Sequence, residues 1–143
     1  MATGKQHSYS TSILAGVILS NSFVLHEFDY IIMSIGCFIG ILLSPDLDVD
    51  KGNISNYLLR NIWKPIERLW FIYWFPYRKL LKHRSFLSHF PVISTIGRII
   101  YISIPIIILS FYIDINIHYW NFWFIFGLMF SDLLHYLMDK VRK

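Results

Sequence analysis

Four groups of metal-ligand side chains, far apart in the chain, carry the chemistry that this sequence could do. They are His7, then Asp46, Asp48 and Asp50, then His83 and His89, and finally Asp132, His135 and Asp139. The last group is spaced i, i+3 and i+7, so its members share one face of a helix. His135 and Asp139 stand one turn apart, about 6 Å along the axis, close enough to share an ion. Asp132 and His135 have the carboxylate-x-x-His spacing of metal sites in helix bundles. Asp132 and Asp139 are about 10.5 Å apart in rise. The face therefore serves two ions, or one ion with an outer layer of hydrogen-bonding partners. Carboxylate with imidazole suits a divalent transition metal, zinc first and manganese or iron as alternatives, better than calcium or magnesium. With no cysteine in the set, an open catalytic site is favoured over a closed structural one.

Sharper motifs fail. Asp46-x-Asp48-x-Asp50 begins like a calcium-binding EF-hand loop, but Lys51 stands where glycine is needed and Tyr57 where glutamate is needed. There is no Walker loop, no zinc-protease H-E-x-x-H and no nucleophile-elbow serine. Cys37, the single cysteine, sits inside an apolar run. It can form no disulfide within the chain and lies far from every histidine that could activate it. His26 and His118 read as interfacial residues outside any site. Nothing calls for a nucleic acid.

The elements that must position these groups follow from composition. Of 143 residues, 55% are hydrophobic, 18% aromatic and 15% charged, with a mean hydropathy of +0.50. Soluble domains carry about 25% charge, and a chain this short cannot hide so many large apolar groups. Disordered chains lack such surface. The expectation is an all-α, polytopic membrane protein forming one membrane domain over 1–143. Four transmembrane helices are expected at about 8–25, 30–45, 90–113 and 119–138, paired as two hairpins and joined by a loop over 46–89. Eight of the thirteen Lys and Arg fall in that loop. Lys5, Lys140, Arg142 and Lys143 flank the ends, and the connections at 26–29 and 114–118 hold no basic residue. The positive-inside bias then puts both termini and the loop in the cytoplasm. All four ligand groups fall at that one face, whereas transporter sites sit near the midplane.

Within the loop, Leu59, Ile62, Trp63, Ile66, Leu69, Trp70 and Tyr73 recur at helical spacing, with Arg60, Lys64, Glu67 and Arg68 opposite. Pro65 would kink this helix or start a second one. Trp63, Trp70, Tyr73, Trp74 and Tyr77 are residues that favour a membrane interface. An amphipathic interfacial helix is expected here, lying on membrane lipids with its basic side toward anionic headgroups.

Taken together, several motifs resemble a known family. They are His7 near the N-terminus, Pro45-Asp46-x-Asp48, His83-Arg84-Ser85-x-x-Ser88-His89 and Asp132-x-x-His135-x-x-x-Asp139. The set resembles uncharacterised bacterial and cyanobacterial metal-binding membrane proteins, close to the YdjM-like predicted membrane-bound metal-dependent hydrolases. Trp74-Phe-Pro-Tyr-Arg78 running into His83 is similar to the cyanobacterial branch, and the resemblance covers almost the whole chain. It implies His7, Asp46, Asp48, His83, His89, His135 and Asp139 as ligands of one or two ions. It also implies a prokaryotic inner or thylakoid membrane. The acidic residue usual after the first histidine is replaced by Ser8.

The His-x-x-x-Asp element is more distantly similar to zinc-dependent phospholipases C and single-strand nucleases, which cleave phosphoesters. The expected function is therefore a metal-dependent hydrolase acting on a phosphoester, lipids included, at the cytoplasmic face. Arg84 would bind phosphate through its planar fork. Asp48 or Asp132 would hold or activate the water. Ser85 and Ser88 would support the ligands or cap a helix. The alternative is a non-enzymatic protein in which ions staple the two hairpins together.

Overall fold

Thr3 starts the first helix. Its backbone is extended, its hydroxyl accepts from the Gln6 N–H, and the Gln6 side chain accepts from the Thr3 N–H. This capping box satisfies two of the donors a helix start leaves open. Ser8 and Ser12 donate to the carbonyls four residues back, so their hydroxyls add no unsatisfied polarity to the helix. The computed structural model describes residues 3–48, 53–81, 90–113 and 120–141. Six α-helices occur among them: α1 (Gly4–Leu25), α2 (Asp29–Ile39), α3 (Ile54–Ile62), α4 (Lys64–Leu80), α5 (Pro91–Ser110) and α6 (Trp120–Val141). A 3-10 turn, Pro45–Asp48, follows α2.

Helix α2 lies between α1 and α6. It runs antiparallel to α1, with Ser34 donating to the Ala15 carbonyl at 2.8 Å and Cys37 packed beside Thr11. It runs parallel to α6 at very close range. A Cβ placed on Gly36 would lie 2.1 Å from the Phe124 carbonyl oxygen, and one on Gly127 would lie 2.0 Å from that of Met33. One step further on, Gly40 lies against Ser131. Gly36-x-x-x-Gly40 is thus a small-residue seam of the kind that lets apolar helices touch backbone to backbone. On its other side α6 meets α5 through Asp132, Thr95 and Arg98. These directions gather the start of α1, the turn after α2, the start of α5 and the end of α6 at one end of the bundle.

Two expectations are corrected. Four spanning helices were expected, but two among the described residues, α1 and α5, are long and apolar enough to cross a membrane. Helix α2 has 11 residues, about 16 Å, against the roughly 30 Å of a hydrocarbon core. It stops because the chain turns at Gly40–Leu43 before Pro45. The carbonyls of Ile41 and Leu42, which a longer helix would have satisfied, accept instead from the buried Ser55 hydroxyl at 3.4 and 2.7 Å. Helix α6 has 22 residues, but Asp132, His135, Asp139 and Lys140 break its apolar run.

The second correction concerns the loop helix. Of the two outcomes expected at Pro65, the second holds: there are two helices, broken at Trp63, whose backbone is extended, with Pro65 in the first turn of the second. Trp74 and Tyr77 do not face outward. They are buried with Leu43, Leu47 and Leu128 in the main apolar cluster, with Trp70 and Tyr73 packed against it.

Candidate metal centre

The first turn of α1 and the last turns of α6 cross at the polar end of the bundle. His7, on α1, is 6% exposed and His135, on α6, is 4% exposed. Their rings stack, with centroids 3.7 Å apart and planes 9° from parallel. Asp139 bridges them: its Oδ1 lies 3.3 Å from His7 Nε2 and its Oδ2 lies 3.7 Å from His135 Nε2. From the turn after α2, Asp46 Oδ1 approaches His135 Nε2 at 3.6 Å.

The ligand atoms offered by His7, His135 and Asp139 all lie within 4.8 Å of one another. A tetrahedral ion with bonds of about 2.0–2.2 Å holds its ligand atoms about 3.4 Å apart. The contacts of 3.3, 3.6 and 3.7 Å bracket that value, and the donor set, two imidazoles with carboxylate, is one that transition metals take. His7 Nδ1 is buried with no hydrogen-bond partner among the described residues, so either of its nitrogens can be turned to a ligand role. The imidazoles are shielded, while about a quarter of each carboxylate side chain, Asp46 and Asp139, stays exposed. Solvent therefore reaches this cluster from its acidic side.

The other expected residues are placed differently. Asp48 is buried in the 3-10 turn, outside the three-residue cluster. Asp132 is 1% exposed. One of its oxygens is shared by the Thr95 hydroxyl and the Arg98 guanidinium. Arg98 also donates to the Ser94 carbonyl at 3.2 Å. The structure thus engages Asp132 in a buried ion pair between α5 and α6. His83, Arg84, Ser85, Ser88 and His89 lie outside the described residues, as does Asp50.

Sequence reasoning missed the partners Thr95 and Arg98. The available signal was Arg98 itself, a lone base inside an apolar run, which in such a setting needs a counter-charge. It also missed Tyr77, which shares the electrostatic surroundings of Asp48, Asp132 and Arg98. Burial pushes its phenol up to about 12, with Arg98 opposing and Asp48 and Asp132 adding to the rise.

A family model for uncharacterized metal-binding proteins matches residues 2–123. The chain belongs to that family, DUF2227. The matched stretch contains His7, Asp46, Asp48, His83 and His89 and ends before Asp132, His135 and Asp139. No curated protein and no solved structure matches the chain. Membership in a metal-binding family and a His/Asp cluster able to hold an ion therefore coincide in one chain.

Proposed function

We propose that this DUF2227 protein is an integral membrane hydrolase that uses a divalent metal, zinc in the first instance, to cleave a phosphoester at the cytoplasmic face. The observation that carries this reading is the His7–His135–Asp139 cluster, with Asp46 against it. Two imidazoles and one carboxylate match the three-ligand pattern of catalytic zinc, which leaves a position for water. The YdjM-like motif resemblance supports the same chemistry. A bound ion supplies Lewis acidity toward the phosphoryl group and acidifies water. His7, His135 and Asp139 would hold it, and Asp46, partly exposed, is placed to take a proton from an incoming water. Arg84 and the histidines flanking it are the groups expected to complete the site and bind phosphate.

Membrane residence is supported by what α1 and α5 leave outside. Only 22% of the apolar stretch of α1 and 17% of that of α5 are buried. A core helix of a soluble protein would be mostly buried, and apolar surface on this scale calls for lipid or a partner. His7 and Asp46 both meet His135, so residues 29–46 must retrace α1 from Leu25 to His7, about 27 Å. The second crossing would then be a short helix completed by a turn. Non-helical backbone is tolerated at depth where protein covers it, and Ser55 covers this one. With the basic loop and termini inside, the metal cluster faces the cytoplasm.

A structural role is the second reading. It is favoured by the ligands coming from α1, the turn after α2, and α6, so that an ion would tie both hairpins together. The test is metal content and phosphodiester turnover of the detergent-purified protein, compared with His135→Ala and Asp46→Ala. Metal-dependent turnover lost in both variants at unchanged melting temperature supports the hydrolase. Metal bound without turnover, and variants that melt early, support the staple. Protein that binds no metal overturns both.

A further inference from the structure

The helix α4 packs high on α5. Tyr101 lies about 15 Å along α5 from Pro91, and it meets α4. Tyr73 donates to the Tyr101 carbonyl at 3.3 Å, and Tyr101 donates back to the Tyr73 carbonyl at 2.5 Å. Tyr101 also packs on Trp74 and Tyr77, with centroids 5.2 and 5.4 Å away. The outer ridge of α5 is already apolar from its first turn: Val92, Ile96, Ile100 and Ile104 follow one another at four-residue steps, each at least 41% exposed. A lipid boundary set by that ridge lies below Tyr101, so the α4 contact falls on the hydrocarbon side of it.

The outer face of α3 and α4 fits that depth. Ile62, Trp63, Leu69, Ile72, Phe75 and Leu80 are all exposed, Leu69 at 67% and Ile72 at 66%. Several polar groups nearby find partners at short range, as a low-dielectric setting favours, while the indole N–H groups of Trp70 and Trp74 are buried without a partner among the described residues. The two tyrosine hydroxyls answer each other's carbonyls. The Arg78 guanidinium lies 3.9 Å over the Phe71 ring and donates to the carbonyls of Trp74 and Phe71. Arg60, Lys64, Arg68 and Lys79 are exposed as well, against one acid, Glu67, and Arg68 and Lys79 share one helical stripe with Ile72 and Phe75. Long basic side chains of this kind reach from an apolar bed to headgroup level, and their charge complements anionic phospholipid.

We infer that the α3–α4 arm is a wedge sunk into the cytoplasmic leaflet, its Ile and Leu side chains among acyl chains and its basic side chains reaching up to anionic headgroups. This rests on the membrane reading of α5 given above. It departs in part from the arrangement expected from sequence, because Trp74 and Tyr77 turn toward protein while Leu69 and Ile72 turn outward. The wedge also borders the core residues Leu43 and Leu47, which flank the turn carrying Asp46. Lipid would therefore lie within one packing layer of the metal cluster.

Spin labelling of the full chain tests this in nanodiscs of phosphatidylcholine and phosphatidylglycerol at a 3:1 ratio. Cys37, the only cysteine, is first changed to alanine, and single nitroxides are placed at Leu69, Ile72 and, on α5, Ile107. The expected result at all three is relaxation by oxygen and loss of relaxation by a water-soluble nickel chelate. If Ile107 is shielded from nickel but Leu69 and Ile72 are not, the wedge is overturned while the membrane reading stands. If Ile107 itself is open to nickel, the membrane reading fails with it. Labels at Leu69 and Ile72 that neither reagent reaches, or that show dipolar broadening, point to a protein partner or a second copy and also overturn the wedge.

Discussion

The imidazoles of His7 and His135 lie face to face, 3.7 Å apart, joining the first helix to the last. Both present Nε2 to the same carboxylate, Asp139. His7→Ala and His135→Ala are each expected to weaken metal binding by more than the roughly 10–100-fold lost when an outer hydrogen-bonding partner is removed from a metal site. Asp46→Asn keeps the shape and loses the charge, so its effect should fall within that range. Chelator competition in detergent measures all three. Equal affinity of His7→Ala and wild type would remove α1 from the site.

The contact of α2 with α6 admits no side chain at Gly127. Gly127→Ala gains up to about 1 kcal/mol of helix propensity, but the new methyl meets the Met33 carbonyl, which cannot swing aside. Overpacking of about 1–3 kcal/mol should win, lowering the melting temperature. Gly16 is the control, because a Cβ there meets nothing within 4 Å. Gly16→Ala should leave stability unchanged or raise it by up to about 1 kcal/mol.

Arg98 and Asp132 form a pair with side-chain exposures of 4% and 1%. Arg98→Met leaves a buried carboxylate uncompensated, and the expected loss is about 3–5 kcal/mol. The double variant Arg98→Met/Asp132→Leu removes both charges and should recover most of it. Comparing unfolding of the two single variants and the double variant gives the coupling. If the double variant is stable and binds metal as wild type does, Asp132 serves the α5–α6 contact. If it is stable but inactive, Asp132 has the acid–base role as well.

The Thr3 cap fixes the turn that carries His7. Thr3→Ala should cost about 1 kcal/mol, speeding amide exchange in the first turn of α1 about fivefold. Bound zinc should slow that exchange again. Exchange that zinc leaves unchanged would argue against a ligand on α1.

Local patterns in the sequence carried a good deal. The helical spacing of Asp132, His135 and Asp139 and the break near Pro65 depend on neighbours a few residues apart. Hydropathy marked α1 and α5 for the same reason. It overran at α2, because residues 40–43 are as apolar as a helix but are turned, with Ser55, thirteen residues further on, accepting the role of hydrogen-bond partner. Amphipathic spacing also found α4 but not the burial of Trp74 and Tyr77. Trp74 and Tyr77 are interface residues by type, and packing on Tyr101, Leu43, Leu47 and Leu128 draws them inward.

The sequence by itself determined that the chain is apolar and helical, and that its ligand-type side chains lie at helix ends that could meet. Those properties are set by composition and by period. Which of those side chains touch was decided by tertiary structure alone. Asp132, His135 and Asp139 share one face of α6, yet α6 passes α5 at the level of Asp132 and α1 at the level of His135 and Asp139. One face therefore serves two neighbours, so that Asp132 pairs with Arg98 while His135 and Asp139 close on His7. No spacing within a single helix encodes which helix lies opposite each turn. The glycine seam against α2 sets that, through the closeness and register it imposes on α6.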